Sequence, residues 1–196
     1  MSTTSAESGA RGRTRRAIVS AAATLLARDR RATLAEIAQA AEVGRSTLHR
    51  YFADRDELVR AAVEDSLALI EQAVLDAAVD EGPCVDAMRR LVTALVATGD
   101  RLLFAFGDLS VLEELPDYDD RTERMVTDLI ERGQAEGVFD PEVSAGWIMA
   151  TVWAMVYTGA EAAQQGRVPP HGVAAHVIRT LEGGIRRPDA GTPATR

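Results

Sequence analysis

Positions 45 to 50 read Arg-Ser-Thr-Leu-His-Arg, five polar side chains around one leucine. At helical spacing Arg45, Ser46, Thr47, His49 and Arg50 project outward, while Leu48 and then Phe52 turn back toward a core. Nearly every group on that outer face donates hydrogen bonds. A short helix of this kind fits the major groove of DNA, where arginine pairs bidentately with guanine.

The elements that must hold this face stand on either side of it. Thr33 and Glu36 have the three-residue spacing of a capping box, in which hydroxyl and carboxylate each satisfy a backbone N–H of the other. Leu34, Ile37, Ala38 and Ala41 then share one face of a first helix. Glu42-Val43-Gly44 makes a tight turn, with Gly44 free to act as N-cap of the second helix. Asp54 can cap a long third helix from about Arg55 to Val79.

On these residues, Thr33 to Leu58 resembles the DNA-binding segment of the TetR family of bacterial one-component regulators. In that family an alanine-rich helix leads through a turn to a Thr-Leu-Tyr-x-x-Phe-type recognition helix and a Lys-x-x-Leu-type start of a long helix. This chain has Thr47-Leu48-His49-Arg50-Tyr51-Phe52 and Arg55-Asp56-Glu57-Leu58. It departs in three places: Gly44 replaces a Ser or Thr cap, His49 replaces a phosphate-contacting Tyr, and Arg55 replaces Lys. The resemblance implies base-edge contacts by Arg45, Ser46, Thr47 and His49, and phosphate contacts by Thr47, Tyr51 and Arg55. Thr33 and Arg50 complete the DNA-facing set. It also implies a homodimer with an effector pocket in the middle helices.

Charge supports a DNA-binding head. The 196 residues carry a net charge of −8, which alone argues against nucleic acid. Residues 1–60 nevertheless hold 11 Arg against 7 acids, a balance of +4, and the remainder holds 11 Arg against 23 acids, a balance of −12. A basic head on an acidic body binds DNA through one end only. Every basic residue among the 22 is Arg, a bias that runs through the acidic body too and so reflects GC-rich coding more than recognition. Cys84 is the sole cysteine, which excludes an intrachain disulfide and a thiolate metal cluster. No apolar run approaches a membrane span and the N-terminus lacks a signal-peptide core, so the expected location is cytoplasmic, with no membrane partner.

The whole chain reads as all-α. Residues 1–12 are expected to be a disordered arm and 13–60 a three-helix DNA-binding head with its motif at 33–52. Residues 61–186 should form an effector-binding and dimerisation bundle, and 187–196 a flexible tail. Helix 1 should run from about Thr14 to Arg28, burying Ile18, Ala22, Leu25 and Leu26; Arg11, Arg13, Arg15 and Arg16 precede or open it as a basic arm or a solvated tail. Gly82-Pro83 breaks the long helix that carries Leu58, Ala62, Leu69, Ala73 and Val74. The next helix, about 83–98, buries Met88, Leu91, Val92, Leu95 and Val96. Residues 100–115 read as a helix broken near Gly107, and 117–135 as another. Asp140-Pro141 signals an N-cap and first turn for a helix over 141–164 that is apolar nearly all round. Pro169-Pro170 opens a last helix with Val173, Val177, Ile178 and Leu181 as a stripe. Pairing of these last two helices with their two-fold mates would bury the excess apolar surface.

No catalytic constellation stands out. His171 and His176 do not share a helix face, and the acidic run Glu113, Glu114, Asp117, Asp119, Asp120 lacks the spacing of a calcium loop. No cofactor or metal is expected. Met88, Phe104, Phe106, Met125, Trp147, Trp153 and Tyr157 are ordinary core at first reading, but together suit a pocket for an apolar effector between helices. The expected partners are therefore double-stranded operator DNA, a small-molecule effector and a second copy of the chain. The expected function is a ligand-responsive transcriptional regulator, most simply a repressor released from a palindromic operator. Two alternatives stand beside it: a constitutive or architectural DNA-binding protein without a pocket, and an all-helical enzyme or scaffold.

Overall fold

The computed structural model describes residues 3–107 and 121–185, and they are helical with no strand among them. Helices run α1 Thr3–Arg28, α2 Leu34–Ala40, α3 Arg45–Tyr51, α4 Arg55–Asp76, α5 Cys84–Ala97 and α6 Gly99–Phe106. Then come α7 Arg121–Ala135, α8 Ala145–Gln164 and α9 Val173–Ile185, the last entered through a short 3₁₀ turn at Pro170–Gly172. The acidic run at 113–120, the second half of the 100–115 segment, the start of the 117–135 helix and the tail at 187–196 lie outside the described residues.

Two compact units divide the chain. One holds the described residues up to Ile70 together with 100–107; the other holds 71–99 and 121–185. The boundary falls after Ile70, within α4, rather than near residue 60; Leu58, Ala62, Ser66 and Ile70 are buried on its first-unit side. Leu69, expected on that side, is 42 % exposed.

In the first unit, α1 packs on α2 and α2 on α3. Ile18, Ala22, Leu26, Ile37, Leu48, Phe52 and Leu58 are all buried. Helix α1 begins at Thr3, so the arm expected to be disordered over 1–12 is helical from Thr3 onward. With no proline before Pro83, a helix nucleated by the buried turns can propagate toward the N-terminus one bond per residue. Helix α6 belongs to this unit through polar contacts. Arg101 bridges Asp65 Oδ2 at 3.1 Å and Ser20 Oγ at 2.8 Å, and Arg30 donates to the Phe104 carbonyl at 3.4 Å. A Cβ at Gly107 would lie 2.7 Å from the Leu103 carbonyl oxygen, a backbone approach that favours glycine there.

In the second unit, α5 packs against α7, α8 and α9, and α8 against α7 and α9. Its core includes Cys84, Met88, Leu91, Leu95, Val126, Ile130, Ile148, Val152 and Val156. Arg90 holds the end of the α4–α5 turn by donating to the carbonyls of Ala77, Ala78 and Glu81 at 2.6–2.8 Å. Gly82 adopts φ 72° and Pro83 is the N-cap of α5, as the Gly-Pro break requires. Two expectations need correction. Asp140-Pro141 does not open α8: Asp140 closes a turn on the Glu142 N–H at 2.9 Å, and Ser144 is the N-cap, accepting from Trp147 N–H at 3.3 Å. Gln134 fixes the turn by donating to the carbonyls of Asp140 and Val143. The α9 stripe is also not free for a mate, because Val173, Val177 and Leu181 are buried within the chain and only Ile178 is partly open. A Cβ at Gly159 would lie 2.6 Å from Val173, so glycine there lets α9 seat its valines on α8.

Candidate nucleic-acid interface

The recognition surface is built on two helices of seven residues each. Thr33 caps α2: its hydroxyl accepts from Glu36 N–H at 3.3 Å, and Glu36 Oε2 accepts from Thr33 N–H at 2.7 Å. The Thr33 hydroxyl also donates to Glu36 Oε2 at 2.7 Å. These bonds from Thr33, backbone first and hydroxyl second, hold the Glu36 carboxyl below its ordinary value of 4.5. At the turn Glu42 takes φ 55°, a left-handed conformation that lets Val43 N–H reach the Ala38 carbonyl. Gly44 then caps α3 without a side-chain bond, in extended backbone at φ −70°.

Helix α3 turns its side chains as the spacing requires. Arg45, Ser46, His49 and Arg50 are exposed, Thr47 and Tyr51 are half-buried, and Leu48 and Phe52 are buried. The Arg50 guanidinium lies 5.7 Å from the Tyr51 ring centroid, and Arg15 from α1 lies 5.2 Å from that of Phe52. Both are cation–π distances. The start of α4 has its own reciprocal cap, with Glu57 N–H on Asp54 Oδ1 at 2.8 Å and Ala53 N–H on Glu57 Oε2 at 2.7 Å.

Arg55 is placed differently from its expected phosphate role. Its guanidinium reaches back to the loop between α1 and α2, donating to the Ala32 carbonyl and, at 2.7 Å, to the Arg30 carbonyl. It therefore ties the first turn of α4 to residues 23 and 25 positions earlier. Nothing in local sequence signals this, because both acceptors are backbone. Arg15 on Phe52 and the Ser20–Arg101–Asp65 bridge are equally invisible to motif reading.

The seven residues expected around an effector are divided between the two units. Phe104, buried, and Phe106, exposed, belong to the first unit. In the second unit Met88 is core, Trp153 and Tyr157 are half-buried, and Trp147 is 68 % exposed on the first turn of α8. Met125 lines a cavity of about 460 Å³ with Val79, Asp80, Arg121, Asp128, Leu129 and Arg132. The lining is more charged than the aromatic and methionine set suggests, with Asp80, Arg121, Asp128 and Arg132 around Met125. Arg132 shapes one wall by donating to the carbonyls of Val79 and Asp80 at 2.9 Å. Cys84 is buried and donates to Glu136 at 3.2 Å; burial first, and that bond second, push its thiol above the ordinary range. Among the described residues no cluster of three His, Cys, Asp or Glu side chains is placed to hold a metal, and no helix is long and apolar enough to cross a membrane.

Comparison with known proteins agrees with this geometry. The family model described as bacterial regulatory proteins, tetR family, matches residues 18–62. The chain is 38% identical over 187 residues to the HTH-type transcriptional repressor LfrR of Mycolicibacterium smegmatis, covering 94% of this chain and 97% of that protein. It is 28% identical over 146 residues to the HTH-type transcriptional regulator NfxB of Pseudomonas aeruginosa, covering 70% and 75%. Among solved structures, LfrR in complex with proflavine superimposes with TM-score 0.72 at 33% identity, covering 90% of this chain and 99% of that one. The ketosteroid regulator KstR2 of Mycobacterium tuberculosis shares the fold, with TM-score 0.72 at 18% identity, covering 89% and 95%.

Proposed function

This chain belongs to the TetR family of bacterial transcriptional regulators, not to a family of enzymes, and from that premise we propose that it is a homodimeric repressor released from a palindromic operator by a small-molecule effector. The observation that carries the reading is the α3 surface, where Arg45, Ser46, His49 and Arg50 are exposed above a buried Leu48 and Phe52. Arg45, on the first turn, reads a base edge; Thr47 and Tyr51 meet phosphates; Thr33 keeps the cap that orients α2. A partner that is chromosomal DNA places the protein in the cytoplasm.

The dimer surface proposed here is the exposed line of α8, with Trp147, Ala150, Ala154 and Thr158 three or four residues apart. Small residues let two copies of α8 approach closely, and Trp147 supplies area. The effector site proposed is the cavity at Met125, whose volume falls in the range of small-molecule sites. A ligand there acts only if it binds the DNA-competent and released states unequally.

Selection of bound duplexes from a random pool tests the reading. The expected product is a palindrome with half-sites about one helical turn apart. Arg45→Ala should then weaken binding to the recovered site by about 1–3 kcal/mol and relax preference at one base pair. Recovery of unrelated sequences with no two-fold symmetry would leave an architectural protein instead. Proflavine, the ligand in the LfrR structure, is the first effector to titrate against the bound duplex. Release with rising proflavine supports ligand control, and a complex unchanged at saturation removes that compound class.

A further inference from the structure

Helix α1 is longer than the head needs. From Arg11 onward its first buried residue is Ile18, yet the helix begins at Thr3. The stretch from Arg11 to Arg16 carries four arginines in six residues, all four exposed. No acidic residue occurs between Glu7 and Asp29, and none of the four is in an ion pair among the described residues. A solvated basic tail would explain the charge but not its placement. Arg15 stacks on Phe52, the C-cap of α3, so the arm leaves the head beside the end of the recognition helix. Arg11 lies one turn earlier on the same face of α1 as Arg15, Ile18 and Ala22.

We propose that Arg11, Arg13 and Arg16 clamp the phosphate backbone of the duplex flanking each half-site, with Arg15 as the positioning residue that directs the arm. This rests on the DNA-binding reading of the head and extends it to DNA outside the recognition site. Residues 11–16 span about 9 Å of helix at 1.5 Å per residue. Duplex DNA presents one charge per roughly 1.7 Å of axis, so an arm of that length faces several phosphates. A Cβ at Gly9 or Gly12 would meet only the ends of the Arg13 and Arg16 side chains, so the backbone is open on that side. Glycine is a poor helix former, so the free arm is only marginally stable and tightens when its charges are neutralised.

The probe is a duplex recovered from the random pool by the wild-type protein, prepared with flanks and trimmed to its half-sites. On the flanked duplex the Arg11→Gln/Arg13→Gln variant should bind more weakly, about equally so for matched and mismatched sites. Its slope of log affinity against log salt should fall by about 0.9 for each phosphate that the arm no longer neutralises. On the trimmed duplex the two proteins should converge. Arg15→Gln should reproduce the weakening in part, while Arg15→Lys, which keeps the cation over Phe52, should restore binding. Unchanged melting checks that the head remains folded. A wild-type protein that binds no duplex refutes the underlying DNA reading. Wild-type binding with an unchanged variant slope refutes the arm alone. A weakening that depends on A·T content of the flanks overturns the backbone assignment in favour of minor-groove readout. An unchanged DNA slope, with binding to anionic-lipid vesicles abolished in the variant, would move the arm to a membrane surface.

Discussion

On α3, in the first unit, the side chains left in solvent are the ones equipped to bind: Arg45, Ser46, His49 and Arg50 ring the helix while Leu48 and Phe52 sit beneath them. In the second unit the arrangement is reversed. Its large apolar groups are largely taken up in packing α5, α7, α8 and α9, and its conspicuous exposed group is the apolar Trp147. A surface that reads DNA is made of polar groups that water solvates readily. A surface that receives a mate is apolar, and shows itself only by what packing leaves uncovered.

The largest effect expected from this contrast is at the floor of the recognition surface. Phe52→Ala removes a fully buried ring and the platform under Arg15, and should destabilise the first unit by about 3–5 kcal/mol. DNA binding should vanish with it. A denaturant titration showing a change below about 1 kcal/mol would mean that the head relaxes around the cavity and that Phe52 is not its keystone.

Next is the opposite surface. Trp147→Glu should leave the helices of the second unit intact, since the side chain is mostly in solvent, yet split the dimer. Operator affinity should drop by about 10²–10⁴-fold, the avidity two linked heads provide. Sedimentation of the variant as an undiminished dimer would place the interface elsewhere.

A smaller effect sharpens the division inside the head. Arg55→Ala should lower stability by about 1.5 kcal/mol, the low end for hydrogen bonds to a charged group because the site is partly open to water. The salt slope of DNA binding should barely move. Unchanged melting with a slope reduced by about 0.9 would return Arg55 to the phosphate-contacting set.

The smallest effect expected is on pH dependence. Glu36 has a folded value lowered by its bonds from Thr33, so the capping box stabilises α2 above the ordinary carboxylate range. That contribution is lost as pH falls through the lowered folded value. Glu36→Gln keeps an acceptor but does not titrate, so the wild-type advantage seen at neutral pH should shrink as pH falls below the ordinary carboxylate range. Melting curves of the two proteins that run parallel across that range would show that the cap does not respond to acid.

The sequence alone was enough for the head's outline. Thr33 and Glu36 three apart, the turn at Glu42-Val43-Gly44 and the alternation of Arg45 to Phe52 are interactions within a few residues, and each appears in the structure where spacing put it. Asp54 capping α4, and Gly82-Pro83 ending the turn before α5, were legible for the same reason. What only tertiary structure decided are choices between chemically equivalent options. Asp140-Pro141 and Ser144 are both good starts for α8, and Gln134, reaching across to the turn, accompanies the selection of Ser144. Arg55 can hold a phosphate or a carbonyl, and the loop at Arg30–Ala32 supplies two carbonyls within reach. Val173, Val177 and Leu181 look the same in sequence whether they face a mate or their own chain. The close approach that Gly159 permits lets Val173 and Val177 seat inward on α8. Local spacing determines caps and faces, because those bonds close within one or two turns. Which face meets which partner depends on residues far away along the chain, and a one-dimensional pattern carries no record of them.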